Sequence, residues 1–471
     1  MIITDLANEV SKRVEAVSDG LNEALFEPVI RIGVTGLARS GKTVFITSLV
    51  ANLLDRGRMP QVAAINEGRV LSAYLQPQPD VTVPRFDYEN HHAALLGPNP
   101  HWPDSTRAIS ELRLSLKVQP RGLLAGLQRP RTVHLDIVDY PGEWLLDLGL
   151  LDKTYAAWSA EVLARLSERD EGAVYLARLE NVDGSADLDE MQAQRLARRF
   201  TEYLNRARDA GYYDCTPGRF LLPGDLAGSP VLTFAPLPAV EGGKRRSLYR
   251  QMERRFEAYK ARVVKPFFQD HFARIDRQVV LVDALGAIHR GPQAVRDMRN
   301  AMGEILAAFR PGRNAFLNRL LLGKRVERIL FAATKADHLH HSQHGRLSAF
   351  MKALTRDAYD RAQFAGAKTH AMALASLRAT VEESMTHDGR ALNCVRGTLL
   401  DSGKQAAFYP GELPEDPAQL LASAQTGATE WLGDGYEFMN FAPAQLTLKP
   451  GMGPPHVRLD RAVQFLIGDR L

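Results

Sequence analysis

Residues 36–43 read GLARSGKT, directly behind the apolar run PVIRIGV (28–34). The pattern GxxxxGK[ST] has a mechanical meaning. Gly36 and Gly41 let the backbone curl until its N–H groups converge, which makes a cradle for phosphate oxygens. The run before the loop is short and rich in β-branched residues, as a buried strand is. Behind the loop, VFITSLVANLL (44–54) repeats apolar residues at helical spacing. A strand, a glycine loop and a helix start, in that order, add the positive end of the helix dipole to the cradle. The loop from Gly36 through Arg39, Ser40, Gly41, Lys42, Thr43 and Val44 is thus expected to hold phosphates. Lys42 would reach the β- and γ-phosphates, and the Thr43 hydroxyl would be a Mg2+ ligand.

Later stretches follow in a consistent order. HLDIVDYPG (134–142) is an apolar strand ending in Asp139 and then Gly142. Asp139 would hold Mg2+ through a water, and the Gly142 N–H would touch the γ-phosphate. Asp136, three residues earlier, competes for the metal, although its place inside the strand argues against it. TKAD (334–337) closes another apolar strand. Asp337 would accept from guanine N1–H and the N2 amino group, donors that adenine lacks there. A buried carboxylate deprived of such donors is costly, so one residue can discriminate between bases. Thr334 stands where Asn is commoner. The Lys335 stem would cover the base and its ammonium would brace the phosphate loop. ALAS (373–376) ends the next strand and offers a backbone N–H near Ser376 to guanine O6.

A threonine that senses the γ-phosphate should precede the second strand. In HWPDSTRAIS (101–110) that residue is Thr106, which would also join the metal ligands, with Ser105 as its rival. Trp102 and Arg107 flank it and could cover ribose or phosphate. Core packing is the other use of Trp102.

The rest of the chain alternates strand and helix signals, which argues for an α/β fold with a mostly parallel sheet. ISELRLSLKV (109–118) has period-two alternation, and RQVVLVDAL (277–285) and THAMALAS (369–376) are further strands. Residues 144–212 and 245–275 read as helices, the latter with Leu248, Met252, Phe256, Tyr259 and Val263 in one stripe. Residues 76–104 read as a long Pro- and His-rich surface loop. Residues 4–27 read as an amphipathic helix, and VRLDRAVQFLIGDRL, closing the chain, reads as another. Over 471 residues the formal charge is +4, close to balance, so nothing argues for nucleic acid as a partner. Two cysteines are too few for a disulfide framework. With no signal peptide and no spanning stretch, a cytoplasmic protein is expected, peripheral at the inner membrane if either amphipathic helix docks there.

VTGLARSGKT, WPDSTRAISELRL, DYPGEWLLDL, PGRFLLPGDL, VVLVDAL, ATKADH and VRLDRAVQFLIGD resemble, nearly end to end, the YcjX family of bacterial P-loop GTPases. The resemblance implies GTP hydrolysis with Mg2+, a helical insertion in the G domain and a link to bacterial stress response. It divides the chain into the N-terminal helix (1–28), a first G-domain part (29–143), a mainly helical insertion (144–275), a second G-domain part with the guanine motif (276–385) and a C-terminal extension packed on the G domain (386–471). His338, beside Asp337, suggests ribose or base contact. The loop alone resembles that of guanylate-binding proteins and atlastins, where an arginine in the position of Arg39 swings in as an internal finger. A solvated loop residue is the other reading of Arg39. Glu143 stands where many small GTPases have glutamine; it could orient water, but its charge repels the γ-phosphate and so favours slow turnover or a structural role. These residues leave open a GTPase switch, a nucleotide-binding interaction protein with little turnover, and an ATPase, which Asp337 disfavours. A membrane or membrane-protein partner and a nucleotide-dependent homodimer, through Arg39, are the macromolecular partners considered. His338, His340, His341 and His344 also invite a metal reading; His340 and His344 have i, i+4 spacing, with no acid partner evident in the sequence.

Overall fold

The structure, a computed structural model, describes residues 27–37, 39–104, 108–121, 129–240, 242, 244–271, 274–307, 326–364, 366–426 and 439–471. The expected N-terminal helix, apart from Glu27, and Ser105, Thr106 and Arg107 lie outside these residues.

The strand behind the glycine loop, β1 (Val29–Gly36), turns Ile30, Ile32 and Val34 to one face of a sheet. Helix α1 (Lys42–Leu54) covers that face with Phe45, Ile46, Leu49, Val50 and Leu53, all buried. Each such side chain removed from water contributes roughly 1.5–3 kcal/mol. The remaining strands are β2 (Val70–Gln76), β3 (Ser110–Val118), β4 (Arg131–Asp139), β5 (Arg277–Val282), β6 (Arg328–Ala333) and β7 (Lys368–Ala373). They pair in the order β2-β3-β4-β1-β5-β6-β7, with β2, β3 and β4 antiparallel in turn and every pair from β4 to β7 parallel. This is the mostly parallel α/β sheet expected.

Alternation decides which residues face which layer. Val279 and Leu281 of β5 join the α1 side, whereas Val280 and Val282 face the helical insertion. On β3, Leu112, Leu114, Leu116 and Val118 are fully buried on the α1 side. The opposite face of β3 and β4 is polar: Arg113 grips Asp136, and Ser115 Oγ lies 2.8 Å from His134 Nδ1.

Residues 76–104, expected as a loop, contain a helix, α2 (Tyr88–Leu96), that packs on α1. Its sequence, YENHHAALL, buries Tyr88 and Leu95 and too few others to make a readable stripe. The segment between β4 and β5 contains the helices α3 (Tyr155–Ser167), α4 (Ala173–Leu179), α5 (Glu190–Ala210) and α6 (Leu248–Tyr259). Side chains cap three of these at their starts, Thr154, Asp189 and Ser247 each accepting a first-turn N–H. Trp158 stacks on Phe256 at 5.0 Å, with Phe200 and Phe234 packed edge-on around it. The aromatic core runs without a break into the sheet, through Val280, Val282, Ile329 and Phe331. The insertion therefore shares one core with the helices that cover this face of the sheet, of which α9 (His344–Leu354) packs on β6 and β7.

Helices α7 (Ala284–Arg290) and α8 (Pro292–Ala307) follow β5, and α9 (His344–Leu354) and α10 (Arg356–Phe364) follow β6. The expected boundary at residue 385 falls inside a strand. β8 (Val381–His387), β9 (Arg390–Thr398) and β10 (Gln405–Phe408) form a second, antiparallel sheet that the Gly- and Pro-rich composition concealed. After α11 (Pro417–Thr426), the chain ends in α12 (Leu459–Ile467). Its Leu459, Ala462, Val463, Leu466 and Ile467 are buried in the core shared with α1. Arg277 Nε of β5 donates to Leu466 O at 2.8 Å. The C-terminal helix, read as a membrane-docking candidate, spends its apolar face on the main sheet. Among the described residues, no helix is long and apolar enough to cross a membrane.

Candidate functional site

The strand register aligns the C-terminal ends of the parallel strands: Val34 beside Asp139, Gly36 beside Leu281, and Ala333 beside both Val282 and Ala373. In open α/β sheets, this edge is where ligands bind.

At its phosphate end, Arg39 and Gly41 both take positive φ, 63° and 82°, and Ser40 N donates to Leu37 O at 3.1 Å. Such alternation turns successive N–H groups inward into an anion-binding nest. Gly41 sits at the start of α1, where a side chain would be strained. Lys42 is buried, its Nζ donating to Gly36 O at 2.8 Å across the loop mouth. Ser40 Oγ is buried with no hydrogen-bond partner among the described residues, a polar group aimed into the loop. Arg39 is exposed.

Asp139 is buried at the end of β4, as is Thr43 at the start of α1. Gly142 packs directly on the phosphate loop: a Cβ there would stand 2.1 Å from Gly36 O. Two glycines chosen from separate motifs are thus in backbone contact. Asp136, the rival carboxylate, is committed elsewhere. Its oxygens accept from Arg113 Nε and Nη2 at 2.6 and 2.9 Å, from the residue directly opposite on β3.

The segment after Gly142 is clamped by the insertion. Glu143 is buried. Trp144 Nε1 donates to Leu222 O at 2.9 Å, and the Arg219 guanidinium lies 3.2 Å over its ring. Asp147 accepts from Gly218 N at 2.7 Å and from Tyr259 OH at 2.5 Å. Burial raises the Asp147 pKa to about 6, against the lowering effect of those hydrogen bonds.

The base end is built around TKAD. Thr334 N and Oγ1 both donate to Val282 O, and Ala336 N donates to Leu374 O at 3.1 Å. Asp337 is buried; its Oδ2 accepts from Ala379 N at 2.8 Å, and its carbonyl accepts from Thr380 Oγ1. Lys335 takes positive φ, 59°, and its Nζ donates to Asp283 Oδ2 at 2.6 Å. Burial would raise the Asp283 pKa, but Lys335 and the Gly286 N–H hold it below the usual carboxylate range. Ser376 is buried beside a bridge in which Ala375 and Val457 exchange backbone hydrogen bonds.

His338 lies edge-on against Phe441, ring centres 5.1 Å apart, and burial pushes its pKa down. Trp102 Nε1 donates to Phe441 O at 2.8 Å, and its ring packs on the cluster under the second sheet. The packing use of Trp102 is the one seen, and Phe441 links it to the base end. His344 donates from Nε2 to Ala336 O at 2.7 Å, so His340 and His344 do not face one another as a ligand pair.

The family model for the YcjX-like family, DUF463, matches residues 30–471. The chain belongs to the YcjX-like family. It is similar to the Ras-like GTPase YcjX of Escherichia coli (strain K12), 38% identical over 456 residues that cover 94% of this chain and 96% of that protein. It is also similar to the Ras-like GTPase YcjX of Shewanella oneidensis, 36% identical over 468 residues and 94% of each chain. The sheet order and the loop between β1 and α1 are those of a P-loop G domain.

In this YcjX-like chain the donors at the phosphate end suit a hard cation. Thr43 and Asp139 offer oxygen alone, beside a loop whose backbone is arranged for anions. Sequence reading missed Asp283, Ala379 and Asp147. Asp283 had a signal, since VVLVD repeats the apolar-strand-then-Asp pattern of LDIVD. Ala379 contributes only its N–H, which no side-chain motif marks.

Proposed function

We propose that this chain binds GTP and hydrolyses it to GDP and phosphate with Mg2+, as a stress-linked molecular switch. The observation that carries the reading is the pairing of a phosphate loop in contact with Gly142 and a buried Asp337, both at the C-terminal edge of one sheet. The relatives' common name, Ras-like GTPase, supports the same activity. Thr43 and Asp139 would hold Mg2+, which supplies charge neutralisation on the phosphates when bound. Lys42 would leave Gly36 O for the β- and γ-oxygens. Asp337 would present a carboxylate oxygen to the guanine edge, and Lys335, tied to Asp283, would lay its stem along the base. Thr106 would report the γ-phosphate.

Calorimetry with GTP, GDP and ATP tests the assignment: equal affinity for ATP and GTP would sink it. Thr43→Ala and Asp139→Ala should each weaken Mg2+-linked binding, and Thr106→Ala should spare GDP while weakening a GTP analogue. Exposed Arg39 is a conditional finger, solvated in the free chain and turned inward by a second copy or another partner. Hydrolysis per molecule should then rise with protein concentration or with partner, and Arg39→Ala should abolish that rise, up to about 10³-fold. A rate indifferent to concentration and to Arg39 would favour the second reading, a nucleotide-dependent interaction protein with little turnover. Buried Glu143 in place of glutamine points that way. With α12 committed to the core, membrane attachment in the cytoplasm falls to residues 4–27, and co-sedimentation of the full chain with anionic vesicles tests it.

A further inference from the structure

We propose that His340, His341 and Glu382 form a site for a transition-metal dication of the zinc class, beside the base-recognition carboxylate. The three side chains come from two segments that the fold brings together. His340 and His341 follow the guanine motif, and Glu382 lies on β8. His341 Nδ1 is 2.6 Å from Glu382 Oε2, and His340 Nε2 is 3.6 Å from the same oxygen. The three ligand atoms lie within 4.8 Å of one another. Around a zinc ion with bonds of about 2.0–2.2 Å, tetrahedral ligand atoms are roughly 3.2–3.6 Å apart. The two Glu382 distances bracket that range, and His341 is 69% exposed, so its ring can turn to close the third side.

The surroundings suit the ligand roles. His340 Nδ1 lies 2.9 Å from Ser342 Oγ. As it stands, Nδ1 also accepts the Ser342 N–H at 3.4 Å; a metal at Nε2 selects the tautomer whose Nδ1–H donates to the hydroxyl instead, the role outer partners of ligating histidines play. Glu382 Oε1 faces Arg378 Nη2 at 3.6 Å, which leaves Oε2 as the single ligand oxygen. Two imidazoles and one carboxylate select zinc-class ions over Mg2+, which prefers an all-oxygen set. The sequence offered the wrong pair, His340 with His344, because the acid partner arrives from a strand that composition did not reveal.

The position gives the site a structural use. Ala379 and Thr380, which hold Asp337, stand just ahead of Glu382, and the two histidines come just after Asp337. A metal would cross-link the same two segments a few residues further out.

The test uses the full chain, freed of transition metals and kept nucleotide-free with excess Mg2+, so its outcome is independent of the GTPase reading. Titration with Co2+ should give a saturable visible d–d spectrum at one equivalent, displaced by Zn2+. It should lack the thiolate charge-transfer band that Cys215 or Cys394 would produce. His341→Ala and Glu382→Gln should each weaken Co2+ binding by more than about ten-fold. Glu383→Gln, whose carboxylate pairs with Arg396 at 2.8 Å, should bind as the parent does. His341 is exposed and Glu382 and Glu383 are half-buried, and circular dichroism will verify that each variant folds. A parent with no saturable spectrum, or a spectrum indifferent to both ligand substitutions, overturns the site.

Discussion

The two ends of the nucleotide site are built in different ways. The phosphate end is nearly continuous in sequence: one loop supplies the nest, Lys42 and Thr43, and one further segment supplies Asp139 and Gly142. The base end is a composite. Asp337 is held by Ala379 and Thr380, Lys335 by Asp283, the Ser376 loop by Val457, and His338 by Phe441. Phosphate is recognised by backbone curvature that a short motif can encode. A base needs a shaped, desolvated slot, whose walls come from wherever the fold delivers them. The phosphate end should therefore depend on single motif residues, and the base end should depend on remote supports in smaller steps.

The largest effect should come from Lys42→Ala, which removes the ammonium that lies across the loop mouth. Nucleotide affinity should fall roughly 10²–10³-fold, for GTP and GDP alike, in a fluorescent-nucleotide titration. Loss confined to one base would mean that the two ends are not separable. Asp337→Asn should follow, with about 10²-fold weaker GTP binding and improved xanthosine triphosphate binding. Asn can still accept from Ala379 N, so the slot itself should survive. If xanthosine and guanosine nucleotides lose equally, Asp337 is a structural anchor and the base end lies elsewhere.

Gly142→Ala places a methyl against Gly36 O and must displace one of the two segments. Hydrolysis should fall roughly 10- to 100-fold, since displacements near 1 Å cost about that much, while GDP affinity changes little. A parental single-turnover rate would show that the contact is dispensable.

Asp147 sharpens the comparison through pH. Its native pKa, about 6, lies above that of an unfolded carboxyl. Between about pH 4 and pH 6 the native state holds the proton more tightly, so this group's stabilisation is lost as pH rises through that window. The parent should lose about 1–3 kcal/mol relative to Asp147→Asn across that range in urea unfolding. Parallel pH profiles for the two proteins would remove Asp147 from the account. The smallest effect should be that of Asp283→Asn, which deprives Lys335 of its ion pair at the base end. About 1 kcal/mol, or five-fold in guanine-nucleotide affinity, is expected, with phosphate contacts unaffected.

Much of this fold was legible because each covered strand repeats its apolar residues with a clear period. β1, β3 and β4 could be read from residues 29–36, 110–118 and 131–139, and the α6 stripe from Leu248 to Tyr259. Legibility failed where burial was partial. α2 buries two large side chains, and β8 leaves most of its residues half-buried or exposed, so neither has a strong period. The carboxylates divide in the same way. Asp139 and Asp136 are three residues apart and so leave β4 on opposite faces, and Arg113, delivered by strand register, neutralises Asp136 alone.

The sequence by itself determined the phosphate loop, the strands behind it and the carboxylates offered at their ends, because backbone curvature and side-chain period are local properties. Tertiary structure decided that Gly142 seats on Gly36 and that Lys335 finds Asp283. It also brought Ala379 to Asp337, Glu382 to the two histidines, and α12 to the main sheet rather than the solvent. Those outcomes depend on which distant segments the register and the shared core bring within hydrogen-bonding reach, and no spacing along the chain carries that information.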